Sequence, residues 1–206
     1  MRKAASYIAA PLFVAAKRPV IETGSNRKRG RKTADAQCAP LRRKLQMEKE
    51  KQMTTEVRTI ESAEEKRRIC RVILEALPEW FGIPEAREEY VSESADKLFF
   101  AAMDGENPVG FLCLKETGRD TVELYVMGVL KARHRTGAGR ALVEAAKRTA
   151  REAGYAFMQV KTVQMGKYAE YDATNRFYLA MGFREFEVFP HLWDEWNPCQ
   201  VYVMGL

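Results

Sequence analysis

The residues best suited to chemistry lie where an apolar segment leads into a glycine-bearing turn. Residues 123–129 read Glu-Leu-Tyr-Val-Met-Gly-Val, a strand pattern, and residues 134–139 read His-Arg-Thr-Gly-Ala-Gly and open a helix. The first N–H groups of a helix have no partner inside it, and the helix dipole favours negative charge there. The stretch therefore indicates a turn that binds phosphate.

The charge of the chain divides it into two parts. Residues 1–52 hold 14 Lys and Arg against 4 Asp and Glu, net +10, whereas residues 53–206 hold 20 against 24, net −4. We predict a basic N-terminal extension over 1–52 and one globular domain over 53–206. For the extension, a solvated, disordered tail is favoured over a targeting peptide and over an arm that makes weak, non-specific contacts with nucleic acid. Whether it is a real tail or a start-site artefact stays open.

The cysteines and histidines bear on the compartment and on metal binding. Cys38, Cys70, Cys113 and Cys199 are scattered without a Cys-x-x-Cys pair, and the sequence has only two histidines. This pattern indicates neither a zinc site nor a disulfide framework, so no metal is expected, and it fits a reducing cytoplasm. The apolar run 4–16 is too short to span a bilayer, so no membrane association is expected either.

Hydrophobic periodicity and turn residues predict the element order β-α-α-β-β-β-α-β-α-β-β for residues 55–206. The predicted helices are 63–77, 84–94, 138–153 and 169–181. The third of these helices joins two strands, so the strand 157–163 should pair parallel to the strand 122–130. Alternation along 122–130 would place Glu123, Tyr125 and Met127 on one face of the sheet. The fold class is α/β with a mixed sheet.

With these elements placed, residues 55–206 resemble the GNAT superfamily of acyl-CoA N-acetyltransferases. The family's acetyl-CoA signature, usually Gln/Arg-x-x-Gly-x-Gly/Ala, reads His134-Arg135-Thr136-Gly137-Ala138-Gly139, with His134 in the usual place of Gln or Arg. The late helix ends in the family's Tyr-x-x-x-Gly-Phe, here from Tyr178 to Phe183. The resemblance implies the GNAT fold: six to seven strands in one mixed sheet, flanked by four helices and splayed between the fourth and fifth strands.

The resemblance also implies acetyl-CoA as co-substrate. The turn would hold the pyrophosphate, the backbone near Gly128 would pair with the pantetheine arm, and the late helix would contact coenzyme A. Gly128 is interpreted as a point of close backbone approach within the strand. The residues predicted to bind the cofactor are Met127, Gly128, Val129, Arg135, Thr136, Gly137, Ala138, Gly139, Arg140 and Asn175.

The chemistry implied by the family is direct transfer of acetyl to a primary amine in a ternary complex, without an acyl-enzyme. Tyr178 matches the family's usual general acid, which would protonate the departing thiolate. Glu123 stands where several members carry a catalytic glutamate, and would take the amine proton directly or through water. Each residue has a plainer interpretation, Tyr178 as a core aromatic and Glu123 as a solvated strand carboxylate.

The acceptor pocket is predicted from two loops that line it in the family. Trp80 and Phe81 lie between the first two helices, and Trp193 lies in the aromatic and acidic insert 191–197. Aromatic faces with carboxylates suit a cationic amine, although the same aromatics could cover the sheet end as core. The identity of the acceptor and the oligomeric state stay open, although dimers are common in the family. An acyl-CoA sensor without turnover is the alternative to an enzyme.

Overall fold

A computed structural model describes residues 55–206, and the predicted extension over 1–52 lies outside the described residues. Within that range the helices are α1 (Ala63–Glu75), α2 (Pro84–Glu93), α3 (Ala138–Glu152) and α4 (Ala169–Ala180). The strands in the same range are β1 (Glu56–Thr59), β2 (Leu98–Asp104), β3 (Asn107–Gly118), β4 (Thr121–Val129), β5 (Phe157–Val163), β6 (Arg184–Phe189) and β7 (Cys199–Gly205). The predicted element order is confirmed.

The strands of the described residues form one sheet, with the order β1-β2-β3-β4-β5-β7-β6. β4 and β5 pair in parallel, as predicted, but only from Thr121 opposite Phe157 to Leu124 opposite Val160. Beyond Leu124, β4 stays paired with β3 while β5 stays paired with β7. The fourth and fifth strands therefore separate, and the splay implied by the family resemblance is confirmed.

A β-bulge at Tyr125 changes which side chains share a face of β4. Val126 lies opposite Cys113 and Leu124 lies opposite Leu114, so β4 carries one extra residue between these pairs. An extra residue reverses the alternation beyond it. Met127 packs on the same apolar cluster as Leu124, while Tyr125 and Val126 both pack on the other. The prediction that Met127 shares a face with Glu123 is therefore wrong.

Two apolar clusters cover the two faces of the sheet. On one face α3 contributes Leu142 and Ala146, and Tyr178 at the end of α4 joins them. On the other face α1 contributes the stripe Ile69, Cys70, Ile73 and Leu74, each fully buried. This stripe is the one that helical periodicity predicts. The helices therefore cover both faces of the sheet and position residues around the splay between β4 and β5.

No helix within residues 55–206 combines the length and the apolar character that crossing a membrane requires.

Candidate active site

The separation of β4 from β5 opens a cleft of about 1090 Å³, lined by residues from both layers of helices. The residues predicted to form the site line this cleft, with three exceptions, Thr136, Ala138 and Asn175. The structure thus brings together groups that are up to 113 positions apart in the sequence, from Trp80 to Trp193. Their chemical roles stay predictions.

The phosphate turn is built by two residues with left-handed backbone conformations, Arg135 at φ 64° and Gly137 at φ 95°. Gly137 is the N-cap of α3, no side chain caps the helix, and the first helical hydrogen bond runs from Ala141 N to Gly137 O at 2.9 Å. The N–H groups of residues 138–140 are thus left without a helical partner. Arg135 and Arg140 line the cleft beside them, so the turn can accept an anion.

Thr136 and Ala138 contribute to this turn without reaching the cleft. The hydroxyl of Thr136 donates to the carbonyl of Arg133 at 2.8 Å, which closes the turn. The side chain of Ala138 is fully buried in the apolar core, so only its N–H remains available to an anion. The prediction that Thr136 and Ala138 take part in binding through the backbone of the turn stays a prediction.

His134 ties the turn to the end of β4. Its Nε2 lies 2.8 Å from the carbonyl oxygen of Val129, and its ring meets Trp80 edge-on at 6.1 Å. These contacts explain how a histidine can occupy the signature position usually held by Gln or Arg. They also show that the Val129 carbonyl already accepts a hydrogen bond, so a ligand pairing with β4 would compete with His134 there.

The backbone from Met127 to Val129 has one paired edge and one open edge. β3 pairs with these residues through Leu112, Phe111 and Gly110. On the other edge β5 has already diverged, so the strand faces the cleft and can pair with an extended ligand arm.

Packing against α1 accounts for the glycine at position 128. A Cβ at this position would lie 2.8 Å from Cγ2 of Ile73 and 3.1 Å from Cδ1 of Leu77. The approach of α1 therefore accounts for a glycine here, and the interpretation through a cofactor's approach stays a prediction. Gly139 likewise leaves room for Phe177, whose Cζ would lie 3.3 Å from an added Cβ.

Tyr178 lies at the end of α4 with 5% of its surface exposed, and it lines the cleft. Its neighbours are aromatic: Phe177 at 5.6 Å, Phe183 at 5.8 Å and Tyr202 at 6.3 Å between ring centroids. Burial, with Tyr90 as a second cause, raises the pKa of Tyr178, so the phenol stays protonated. Because its hydroxyl makes no hydrogen bond to another described residue, it is available to a group in the cleft.

Asn175 does not reach the cleft. Its Nδ2 donates to the carbonyls of Val163 at 3.0 Å and Tyr171 at 2.7 Å, and its Oδ1 accepts from the Tyr202 hydroxyl at 2.7 Å. These bonds join α4 to β5 and β7, and they occupy both N–H groups and the oxygen of the side-chain amide inside the core. The prediction that Asn175 contacts coenzyme A is therefore corrected: it is a structural residue that fixes the helix carrying Tyr178.

Glu123 is paired inside the cleft, with 7% of its surface exposed. Lys161 of β5 donates from Nζ to Oε2 of Glu123 at 2.7 Å. Lys115 of β3 is the register partner of Glu123 on its other side. The solvated-carboxylate interpretation does not hold for so buried a group. Sequence reasoning missed both lysines, although Lys115 follows the apolar run 111–114 and Lys161 is the charged residue of β5, so both could have been flagged.

The aromatic residues predicted for the acceptor pocket are half-buried and line the cleft. Trp80 donates from Nε1 to the hydroxyl of Thr174 at 3.2 Å, and Tyr171 donates to the Trp80 carbonyl at 3.0 Å. The loop between α1 and α2 therefore contacts α4 beside the cleft. Phe81 meets Tyr90 edge-on at 5.9 Å, and Trp193 lines the cleft from the β6–β7 loop.

The acidic residues of the insert do not accompany Trp193 into the cleft. Asp194 accepts from the backbone N–H groups of Trp196 and Asn197, each at 2.8 Å, and so caps its own loop. Glu195 is exposed and lies outside the cleft. The expected combination of aromatic faces with carboxylates of the insert is therefore not what the structure shows.

The described cysteines are poorly suited to nucleophilic catalysis. Cys70, Cys113 and Cys199 are fully buried and do not line the cleft. Burial raises the pKa of Cys70 and of Cys199 to about 12 and that of Cys113 well above its usual value. A protonated, buried thiol is not a nucleophile. Among residues 55–206 no group of His, Cys, Asp and Glu side chains is arranged to hold a metal ion.

The sequence matches the model of the acetyltransferase (GNAT) family over residues 64–183, more than half of the chain. The chain belongs to the GNAT acetyltransferase family. The resemblance drawn from the turn at 134–139 and from the Tyr-x-x-x-Gly-Phe segment 178–183 at the end of α4 is thereby confirmed. None of the curated proteins matches the sequence.

Solved structures support the GNAT fold. A protein from Desulfovibrio desulfuricans assigned as a GNAT acetyltransferase is 22% identical, with a TM-score of 0.63 over 74% of this chain and 99% of that one. The IAA acetyltransferase of Bacillus cereus is 21% identical, with a TM-score of 0.57, and the match covers 74% of this chain and 100% of that one. The PaiA N-acetyltransferase of Thermoplasma acidophilum, solved with coenzyme A, is 17% identical, with a TM-score of 0.56, and the match covers 72% of this chain and 98% of that one.

Proposed function

We propose that this GNAT protein transfers the acetyl group of acetyl-CoA to a primary amine by direct attack in a ternary complex. The observation that carries the proposal is the single cleft that joins the phosphate turn at the start of α3 to Glu123 and Tyr178. Glu123 and Val129 are six positions apart on β4, about 20 Å of strand, so an extended donor can reach from one to the other.

The residues of the turn fit the diphosphate of coenzyme A. Three backbone N–H groups of α3 have no helical partner, and Arg135 and Arg140 add positive charge on the same side of the cleft. The open edge of β4 at Met127 and Gly128 fits the amides of a pantetheine arm. The coenzyme A complex of the PaiA N-acetyltransferase, which shares the fold, supports this choice of donor.

In the proposed reaction Glu123 accepts the proton of the acceptor ammonium, directly or through water, so that the neutral amine can attack the thioester carbon. A C–N bond forms and the C–S bond breaks. A backbone N–H near Met127, on the open edge, would stabilise the negative oxygen of the intermediate. Tyr178 would give its proton to the departing thiolate, and the second proton lost by the attacking nitrogen would restore the phenol, directly or through water. The apolar surroundings that raise the pKa of Tyr178 also favour the protonated form of the thiol.

A thiol-release assay tests the proposal. The full chain is mixed with acetyl-CoA and a broad library of amines, and acetyl-CoA binding is measured separately by calorimetry. Release that depends on an added amine, with acetylated product by mass spectrometry, is the expected result. Binding without turnover on any amine would favour a non-catalytic acyl-CoA sensor. Absence of binding at millimolar acetyl-CoA would overturn both.

Three further expectations rest on the sequence and stay predictions. They are the cytoplasmic location, a homodimer, and the weak nucleic-acid contact of the basic extension. Size-exclusion chromatography and salt-dependent binding before and after trimming to Met53 would test the last two.

A further inference from the structure

The part of the cleft around Glu123, where the acceptor amine would bind, is called the acceptor side. It carries more positive than negative charge. Lys115, Glu123 and Lys161 form a row across β3, β4 and β5, and all three line the cleft. The two lysines flank one carboxylate, and the carboxylates of the β6–β7 loop lie outside the cleft. A cationic polyamine would meet this row with an excess of like charge.

Lys161 and Lys115 differ in how far their charge is already compensated. Lys161, with 29% of its side chain exposed, donates to Glu123 at 2.7 Å. Lys115, with 41% exposed, lies 3.9 Å from Glu93, whose nearer partner is Lys97 at 2.8 Å. The Nζ of Lys115 lies 4.7 Å from the centroid of the Tyr125 ring, a cation–π contact. Lys115 therefore holds the less compensated charge of the row.

The position of Lys115 fits a group close to the reacting amine. Directly opposed side chains of an antiparallel pair have Cβ atoms about 5 Å apart. Lys115 and Glu123 are such a pair, so a ligand that reaches Glu123 with its amine can reach Lys115 with a group a few bonds away. The rings of Tyr90 and Tyr125 meet at 5.4 Å beside this point and offer an apolar surface.

From this arrangement we infer that the acceptor is a small amine that also carries a carboxylate, with Lys115 binding the carboxylate while Glu123 receives the amine. The inference deepens the proposed function and rests on it. An amino acid with an apolar or aromatic side chain meets all three requirements: an amine for Glu123, an anion for Lys115 and an apolar body for the tyrosines. Peptide N-termini and polyamines lack the anion beside the amine.

The test compares each of a series of apolar and aromatic L-amino acids with its own amide, which keeps the amine and removes the anion. We expect kcat/KM to be at least tenfold higher for the amino acid, mostly through KM. In Lys115→Met this preference should fall to within about twofold, while rates on the amides stay unchanged. Lys115→Arg should retain the preference, and Lys147→Met, on α3 outside the cleft, should behave as wild type.

Three results would overturn the inference. They are amides or polyamines acetylated as well as amino acids, an equal effect of Lys115→Met on both members of each pair, and no acetylation of any amino acid by a protein that acetylates other amines. A protein that acetylates no amine at all, or that binds no acetyl-CoA, would instead remove the proposed function, so the two failures are distinguishable.

Discussion

The ammonium of Lys161 donates to the carboxylate of Glu123 at 2.7 Å. Lys161 lies one position beyond Val160, which forms the last pair joining β5 to β4, whereas Glu123 is still within the paired segment. An acceptor ammonium that gives its proton to Glu123 must therefore share that carboxylate with Lys161. The lysine keeps a buried carboxylate compensated before the acceptor arrives, and a buried charge without a partner would be costly. The pair thus explains how a carboxylate with so little exposure is accommodated on β4.

Replacing Glu123 by Gln should lower kcat/KM about 10²- to 10⁴-fold, because general base catalysis contributes about that factor. The affinity for acetyl-CoA should stay unchanged, since the phosphate turn is remote from Glu123. Steady-state kinetics and calorimetry measure the two quantities. Glu185→Gln, an exposed change on β6, is the matched control. Equal activity of Glu123→Gln and wild type would remove Glu123 from the mechanism.

Tyr178 and Tyr202 allow a paired test of catalysis against stability. Tyr178→Phe removes a hydroxyl without a described hydrogen-bond partner, so kcat should fall about 10²-fold or more with little change in unfolding free energy. Tyr202→Phe removes the donor to Asn175 at 2.7 Å, so stability should fall by about 1–3 kcal/mol while the chemical step is retained. Denaturant unfolding measures the effect of each change on stability, and kcat measures its effect on the chemical step. The reverse pattern would make Tyr178 a structural aromatic.

Arg140→Gln should weaken acetyl-CoA binding by about 10- to 100-fold, since a charge-assisted hydrogen bond contributes about 1.5–3 kcal/mol and each 1.4 kcal/mol is a factor of ten. The loss should shrink as salt is raised, because the guanidinium is exposed and screened. Arg148→Gln, at an exposed position later on the same helix, supplies the control. If both arginines affect the dissociation constant equally, the turn is not the anion site.

Gly128→Ala should destabilise the protein by about 1–3 kcal/mol through overpacking against α1. Because the added methyl would meet Cγ2 of Ile73 at 2.8 Å, combining it with Ile73→Ala should cost less than the sum of the two single changes. Gly118→Ala, where an added Cβ meets nothing within 4 Å, should change stability little. Additive costs in the double variant would mean that α1 does not impose glycine at 128.

The pH dependence of stability should show the buried thiol of Cys70. Burial raises its pKa to about 12, against about 8.5 in an unfolded chain. Between pH 9 and 11 the unfolded state has lost this proton and the folded state has kept it. The contribution of the Cys70 thiol to the free energy of unfolding is therefore complete below about pH 8.5. It is lost as the pH rises, by up to about 1.4 kcal/mol per pH unit.

Cys70→Ala should make the fall in unfolding free energy between pH 9 and 11 shallower by about this amount, measured by denaturant unfolding under reducing conditions. Ile69→Val, which loses packing beside it without removing a titrating group, should keep the wild-type slope. An unchanged slope in Cys70→Ala would show that the thiol titrates alike in both states.

Local patterns in the sequence determined the element order, the buried stripe of α1 from Ile69 to Leu74 and the glycine-bearing turn after β4. These features follow from hydrogen bonding and periodicity within short segments, so one segment carries each. The splay was predicted from the family resemblance alone. The placement of Glu123 and Tyr178 in one cleft also followed from the family's element order.

Tertiary structure alone decided the bulge at Tyr125, the burial of Asn175, the packing reason for Gly128 and the row Lys115, Glu123 and Lys161. Each depends on the register of strands or on the approach of a helix from elsewhere in the chain, and a shift of one residue would place every side chain on the other face. The charge of the acceptor side arises only when β3, β4 and β5 are aligned, and no single segment of the sequence carries that alignment.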